Sequence, residues 1–589
     1  MEPVFSCLLY SVLIILILGR VSLQPFTMFL GWRGDSEQYM WYLGWFWHAV
    51  AAGSNPLLTT GAFNYPAGIN LMWNTSLVAP AVLLGLLSHL FNLVFTYNLL
   101  TVVNLGVSFV LAELILRKLG VRGWLAQGGA VMVGLTPYIT AQMLGGHIIL
   151  TTTGAALGVV YLLAHSARAP INRPLRFGGL LGLLVAIQFY TSLEILTMSV
   201  LVAGIAVFYC LALCPFELRQ WYARLPRTLW LSAATVAIVL MLPGLYLLFY
   251  GPYRPTGWLQ PGNTFVTDLL NFVIPTRVLA LSNGTTNAIA GLFTGNLGEE
   301  NGYLGLPAIV LLAWALFQFR QQRLAKAFFL TGITICFLSM GPFLHVGGYD
   351  TKLPLPWLVF EVTPVLYDIL PSRLMFYVDL GTVITIVTAL EAYLKTTKRW
   401  LPFVLSLGSI LLVTATWFPA LPFTYAATPN AGAAIAPGGS LYPLLRGQPT
   451  FILTSDFPQV MVSLAEGGYA FPVVNVYGHN ANSRRRIGQL TKLTCLLGNP
   501  AVPHCPGSGA VPSFALARQV LLESLPGIHA RMLLFFPLSH GVGKIPSVVE
   551  EAITSLMGPP VARAGRAFLW RVPPKLSRVP PRPLSSHIP

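Results

Sequence analysis

Seven ionisable side chains lie at the edges of long apolar runs: Asp35, Glu37, His147, Glu194, Glu299, Glu300 and Arg373. Asp35 and Glu37 follow the first such run, in GWRGDSEQYMWYLGWFWHAV. A carboxylate near lipid headgroup level can take a proton from a hydroxyl while the lipid part of the substrate stays in the membrane. An Asp at a helix exit can equally be a solvated cap. The remaining candidates are His147 in QMLGGHIIL, Glu194 in QFYTSLEIL, Glu299 and Glu300 in GNLGEENGYLGLP, and Arg373 in DILPSRLMFY. An unpaired charge in hydrocarbon costs roughly several kcal/mol, so ionisable groups at helix mouths are substrate-binding candidates by default. Each also has a structural alternative: His147 as a satisfied interfacial histidine, Glu194 paired within the bundle, and Arg373 snorkelling or paired with Asp379 instead of binding phosphate. Glu113 and Glu391 sit at inner helix ends, and Glu391 stands four residues before Lys395, so structural pairing is expected for both.

The elements that must position these groups are membrane helices. Of 589 residues, 55% are hydrophobic and 9% charged, which excludes a single soluble globule. The apolar runs predict about eleven transmembrane helices, over Val4–Leu23, Leu99–Leu116, Trp124–Met143, Ile148–His165, Leu175–Thr191, Ile195–Cys214, Trp230–Tyr250, Tyr303–Phe319, Ala325–Pro342, Leu374–Leu394 and Leu401–Leu421. Basic clusters such as Arg117/Lys118/Arg122, Arg168/Arg173/Arg176 and Lys395/Lys398/Arg399 fall at alternate connections, which makes those connections cytoplasmic. The apolar run Leu77 to Phe95 then lies in the outer interface or is re-entrant, and every candidate residue falls outside. Aromatic residues from Tyr39 through Trp47 surround most of a short helix, which predicts a helix lying on lipid.

Residues 1–421 thus read as an all-α polytopic bundle, with 24–98 as its first outer loop. After Leu421 the hydrophobic period changes. Strand-like PTFILTSD, VVNV, ARMLLFFP and ARAFLWRV alternate with helical FPQVMVSLAEGG, RRIGQLTKL, PSFALARQVLLESL and SVVEEAITSLMG, which predicts a small α/β domain over 422–575 on the extracytoplasmic side. Residues 576–589 form a proline-rich tail. Of six cysteines only Cys495 and Cys505 are placed to bridge. The net charge of +16 resides mostly between apolar runs, where positive-inside bias accounts for it without nucleic acid. No Walker loop, dinucleotide fingerprint, HExxH or paired CxxC occurs, which removes support for ATP-driven transport and redox cofactors.

The run GDSEQYMWYLGWFWHAVAAGSNPLLTTGAFNYPAGINLMWNTS, with FTYNLL, LILRKLG, LTPYITAQMLGGHIIL, EENGYLGLP and LPSRLMFYVDLG, resembles a family of bacterial multi-spanning proteins similar to GT-C glycosyltransferases. The resemblance implies a GT-C-like bundle in the bacterial inner membrane. It also implies inverting transfer of a sugar from a polyprenyl-phosphate donor to a lipid-linked or cell-envelope acceptor on the extracytoplasmic side. Carried onto this chain, Asp35 is the general base and Glu37 a second acid or metal ligand, with Arg373 and His147 stabilising the leaving phosphate. The acids read Asp-Ser-Glu where the family pattern has Asp-x-Asp, so a divalent cation stays open as a cofactor. Two other classes compete: a lipid or polysaccharide transporter, which would carry paired broken helices or midplane acids, and a non-catalytic membrane scaffold with an outer binding domain.

Overall fold

An apolar run can satisfy its backbone groups inside a bilayer by coiling on itself, and in a computed structural model of the protein the long runs are helices. The structure describes residues 2–59, 61–74, 77–255, 262–363, 366–396, 400–423, 425–427, 433–454, 457–475, 484–497, 512–537 and 545–577. The chain divides into two compact units. The first holds Met1–Trp32, Asn98–Pro243 and Trp258–Ala426, and the second Arg33–Tyr97, Gly244–Gly257 and Ala427–Pro589.

Among the described residues seven helices are long and apolar enough to cross a membrane: Leu93–Lys118, Ile148–Arg168, Pro174–Thr191, Leu193–Leu213, Arg227–Tyr250, Pro371–Thr396 and Trp400–Trp417. Pro3–Leu18 and Gly305–Phe319 are shorter apolar helices. Leu193–Leu213 exposes Val200, Val207, Phe208 and Leu211, an outer face that suits hydrocarbon. Pro174–Thr191 packs closely on the first part of Arg227–Tyr250. A Cβ at Gly178 or Gly182 would collide with the carbonyl of Leu229 or Ala233, so only glycine permits this approach.

Three expected spans differ in detail. Trp124–Met143 is not one helix but two, Gly123–Gly134 and Pro137–Leu144. Pro137 has no N–H to continue the ladder, and the Thr136 hydroxyl instead accepts from Ile139 N at 3.2 Å as a fresh N-cap. The first helix ends at Leu18, before Gly19 with φ +50°, and Arg20–Leu23 forms a separate turn. The span expected over Ala325–Pro342 forms as Arg323–Ser339. The run Leu77 to Phe95 is broken into Val78–Leu84, Leu87–Leu90 and the start of Leu93–Lys118, so no single helix crosses there.

In the second unit, helix Asp35–Ala51 corrects one expectation. Its aromatic girdle does not lie on lipid. Trp41 and Tyr42 are 1% exposed and Trp45 is 4% exposed, because they pack into protein. Trp41 stacks on Trp45 at 5.2 Å and meets Phe63 at 5.3 Å, while Tyr469 sets its edge against both indoles and its ring against His48. The Tyr469 hydroxyl donates to the Trp41 carbonyl at 2.9 Å. Helix Phe457–Glu466 packs against the same element.

The C-terminal part of this unit contains a four-stranded mixed sheet. Thr450–Thr454 pairs in parallel with Met532–Phe536, which pairs antiparallel with Ala567–Arg571, and Ala562–Ala564 forms the edge. Gly565, at φ +57°, begins the two-residue turn between the last two strands. Helices Arg484–Cys495, Phe514–Ser524 and Ile545–Met557 accompany the sheet, and Phe451, Leu453, Leu521, Phe535, Val549, Ile553 and Trp570 share one buried core with Leu493. Of VVNV, the described residues 473–475 contribute an isolated bridge between Val473 and Thr450. Residues 62–65 join this sheet region through their backbone. Val473 N donates to Ala62 O at 3.1 Å, Tyr65 N to Val473 O at 2.9 Å and Asn64 N to Asn475 O at 3.1 Å. Cys495 is disulfide-bonded, whereas Cys505 and the tail from 578 onward lie outside the described residues.

Candidate functional site

Three separate chain segments bring an arginine and two acids together in the first unit. Glu194 sits in the first turn of Leu193–Leu213, where the helix N-terminus favours an acid and the Ser192 hydroxyl caps Ile195 N. Arg373 lies in the 3₁₀ turn Pro371–Leu374 that leads into Met375–Thr396. Glu299 lies in the loop after Asn296, whose side-chain oxygen accepts from Gly298 N at 2.9 Å and Glu299 N at 3.2 Å and so closes the turn.

The guanidinium is held from both sides. Arg373 Nε and Nη2 donate to Glu299 Oε1 at 3.0 and 2.5 Å, and Nη1 donates to Glu194 Oε2. The Ser372 hydroxyl donates to Glu299 Oε2 at 3.1 Å, and Leu370 N donates to Glu194 Oε1 at 3.3 Å. The Glu299 side chain is only 1% exposed. Burial pushes its carboxyl up, but Arg373, beside it and hydrogen-bonded to it, outweighs burial and holds it below the usual carboxylate range. With both acids ionised, one cation faces two anions and the triad carries a net charge of −1. Arg373 does not pair with Asp379. That carboxylate accepts instead from Tyr138 N at 3.4 Å, because Asp379 is buried among Met375–Thr396 and the start of Pro137–Leu144.

His147 joins the same cluster through Gln142, a residue that sequence reading passed over. His147 Nδ1 lies 2.6 Å from Gln142 Oε1 and 3.7 Å from Glu299 Oε1, and Gln142 Nε2 donates to Gly298 O at 2.9 Å. Gln142 and Tyr138 stand one turn apart on Pro137–Leu144, and the Tyr138 hydroxyl is buried without a hydrogen-bond partner. A polar residue one turn from a helix break, five positions before the histidine, was the available signal.

Glu300 is the next residue of the same loop, and its N–H donates to Asn296 O at 3.1 Å. Burial raises its carboxyl to about 7, with Arg277 pulling it back down. Arg277 is exposed and lies over the Trp32 ring at 5.8 Å, and among the described residues no carboxylate lies within ion-pair distance of it. It stands just before an antiparallel bridge to the end of Trp400–Trp417, in which Ala280 N donates to Phe418 O and Ala420 N to Val278 O, both at 2.9 Å. Trp32 N donates to Leu144 O at 2.8 Å.

In the second unit, Asp35 opens helix Asp35–Ala51 and is partly exposed. Glu37 is 1% exposed and caps its own helix, accepting from Gly34 N at 2.6 Å. Ser36 accepts a hydrogen bond from the Tyr97 hydroxyl at 3.1 Å. Among the described residues no group of three or more His, Cys, Asp or Glu side chains is arranged to hold a metal ion.

The sequence matches the family described as a domain of unknown function, DUF6311, over residues 7–366, more than half of the chain. The chain belongs to the DUF6311 family. No curated protein matches this DUF6311 member in sequence. Among solved structures it is similar to the arabinofuranosyltransferase AftD from Mycobacteria, with a TM-score of 0.54 at 14% identity over 96% of this chain and 40% of that one. An arginine-to-serine mutant of AftD matches with a TM-score of 0.54 at 16% identity, over 96% of this chain and 41% of that one. The DUF6311 chain thus spans about two-fifths of AftD's length, and it shares a fold with that part of this arabinofuranosyltransferase. ArnT from Cupriavidus metallidurans aligns over 98% of this chain and 99% of that one at 14% identity, with a TM-score of 0.39.

Proposed function

We propose that the chain is an inverting membrane glycosyltransferase of GT-C type. It moves a sugar from a polyprenyl-phosphate donor to a lipid-linked or cell-envelope acceptor on the extracytoplasmic side of the bacterial inner membrane. The observation that carries this reading is the fold shared with AftD over 96% of the chain. In the proposed reaction the acceptor oxygen attacks the anomeric carbon, the bond from that carbon to the phosphate oxygen breaks, and the acceptor proton passes to a carboxylate. Asp35 is the residue assigned that proton. It is partly exposed at the start of its helix, whereas Glu37 is buried and occupied by the Gly34 amide.

The leaving phosphate needs a cation whose charge is not already matched. Arg373 faces two carboxylates, which argues against it and supports Arg277, exposed over the Trp32 indole in the loop before Gly284–Ala290. Glu194 and Glu299 then act by fixing Arg373 and the loop that carries Glu300, and Glu300 and His147 serve the acceptor. The disulfide at Cys495 supports an oxidising, extracytoplasmic side for the C-terminal unit.

Purified protein in liposomes, given polyprenyl-phosphate-linked sugars and lipid acceptors, should transfer sugar. Asp35→Asn should lower kcat by roughly 10²- to 10⁴-fold with little change in donor KM. Equal turnover by the two proteins would remove Asp35 as the base.

A further inference from the structure

The stretch 353–362 reads LPLPWLVFEV, with one ionisable residue in ten. It runs from strand Tyr349–Pro354 through the 3₁₀ turn Pro356–Val359 towards the turn that carries Arg373, all within the first unit. Its side chains reverse the usual order. Val359 and Val362 are 68% and 82% exposed, and Leu353 and Leu358 are exposed as well, whereas Glu361 is 9% exposed. A single exposed apolar residue is ordinary, but a carboxyl turned inward beside outward valines and leucines is not.

The interior rewards that carboxyl poorly. Glu361 Oε1 has no hydrogen-bond partner among the described residues, and Oε2 lies so close to Gly262 that a Cβ there would stand 2.3 Å from it. Against water the stable arrangement would be the opposite, with the carboxylate hydrated and the valines covered. Against acyl chains the observed arrangement is the stable one, because apolar side chains meet hydrocarbon and the acid is kept from it. The backbone meets the same demand. Pro354 and Pro356 have no N–H, Leu355 N donates to Pro342 O at 2.8 Å, Leu358 N to Leu355 O at 3.1 Å and Phe360 N to Trp357 O at 2.8 Å.

The surroundings point to the same solvent. The turn packs on Arg323–Ser339, which packs along Leu193–Leu213, one of the seven long apolar helices, and itself exposes Phe328, Ile333 and Phe337. Just before the stretch, Tyr349 is exposed and Lys352 pairs with Asp350 at 2.7 Å, side chains suited to headgroup level.

We propose that residues 353–362 form an interfacial wedge, with Leu353, Leu358, Val359 and Val362 among the acyl chains of the bilayer leaflet at the end of the bundle that holds the Arg373 clamp. The occupant of this face is lipid, because the face adjoins helices that already turn apolar side chains outward. The wedge does not depend on the transfer reaction.

The test uses the wild-type chain in lipid bilayers, photolysed either with a phospholipid that carries a diazirine in its acyl chain or with a water-soluble diazirine, and adducts are located by peptide mass spectrometry. Two internal standards calibrate the ratio of lipid-probe to aqueous-probe adducts: the face of Leu193–Leu213 that shows Val200 and Val207, and the exposed Lys492–Glu523 pair. The ratio over 353–362 should lie nearer the first standard. A ratio nearer the second would place the stretch in water, and adducts from neither probe would mean that protein covers it. Either result overturns the proposal.

Discussion

Replacing Arg373 by glutamine removes the cation that Glu194 and Glu299 share. Three N–H donors are lost, Nε and Nη2 to Glu299 and Nη1 to Glu194, from a side chain 15% exposed whose acidic partners are 1% and 12% exposed. Taken singly, hydrogen bonds to charged groups contribute about 1.5–3 kcal/mol each. They are not additive here, because the larger effect is that two neighbouring carboxylates lose their counter-charge in a poorly solvated place. Removing one partner of a buried pair costs about 3–5 kcal/mol, and that is the expected loss of unfolding free energy for Arg373→Gln. If unmatched charge is the cause, Arg373→Gln/Glu299→Gln should be more stable than the single variant, recovering roughly half of the loss. Equilibrium unfolding of wild type, both single variants and the double variant in mixed micelles measures the cycle. A single-variant loss below about 1 kcal/mol would mean that the triad is well solvated. A double variant less stable than Arg373→Gln would show that packing, not charge balance, sets the cost. Either result refutes the reasoning.

Glu300, raised to about 7 by burial, should make the folded protein lose stability as pH rises from the ordinary carboxylate range through about 7, since the folded state binds that proton more tightly than the unfolded one. Glu300→Gln should match wild type at pH 5 and exceed it at pH 8; identical pH profiles would contradict this. Tyr469→Ala should destabilise the second unit by about 3–5 kcal/mol through its lost contacts with Trp41, Trp45 and His48, and Tyr469→Phe by only about 1 kcal/mol, both read from protease resistance. Asp268 is 2% exposed and accepts from Leu270, Gly347 and Gly348 amides at 2.8, 2.9 and 2.8 Å. Asp268→Ala should loosen the Phe343–Val346/Tyr349–Pro354 hairpin, seen as faster amide exchange there. Gly348→Ala should do the same, because its φ is +81° and a Cβ would collide with the Leu292 carbonyl.

Hydropathy alone located the seven helices that are long and apolar enough to cross a membrane among the described residues, fewer than the eleven expected, since a bilayer demands about 20 apolar residues whatever they pack against. The change to short apolar strands after residue 421 was legible on the same local ground, and strands form at Thr450–Thr454, Met532–Phe536 and Ala567–Arg571. Composition also pointed to Glu194, Glu299, His147 and Arg373, because charge is costly beside hydrocarbon. Their partners were not legible. Arg373 meets acids 179 and 74 residues away, where a reading by proximity offered Asp379, and Gln142 carried no charge to draw notice. The helix Asp35–Ala51 shows the same limit, because an aromatic girdle has the same periodicity against lipid as against Tyr469 and Phe63. Local sequence fixes what each side chain can do and how far apart it stands along an element. Only the folded chain decides which charges and rings meet, because those contacts depend on where segments hundreds of residues apart come to rest.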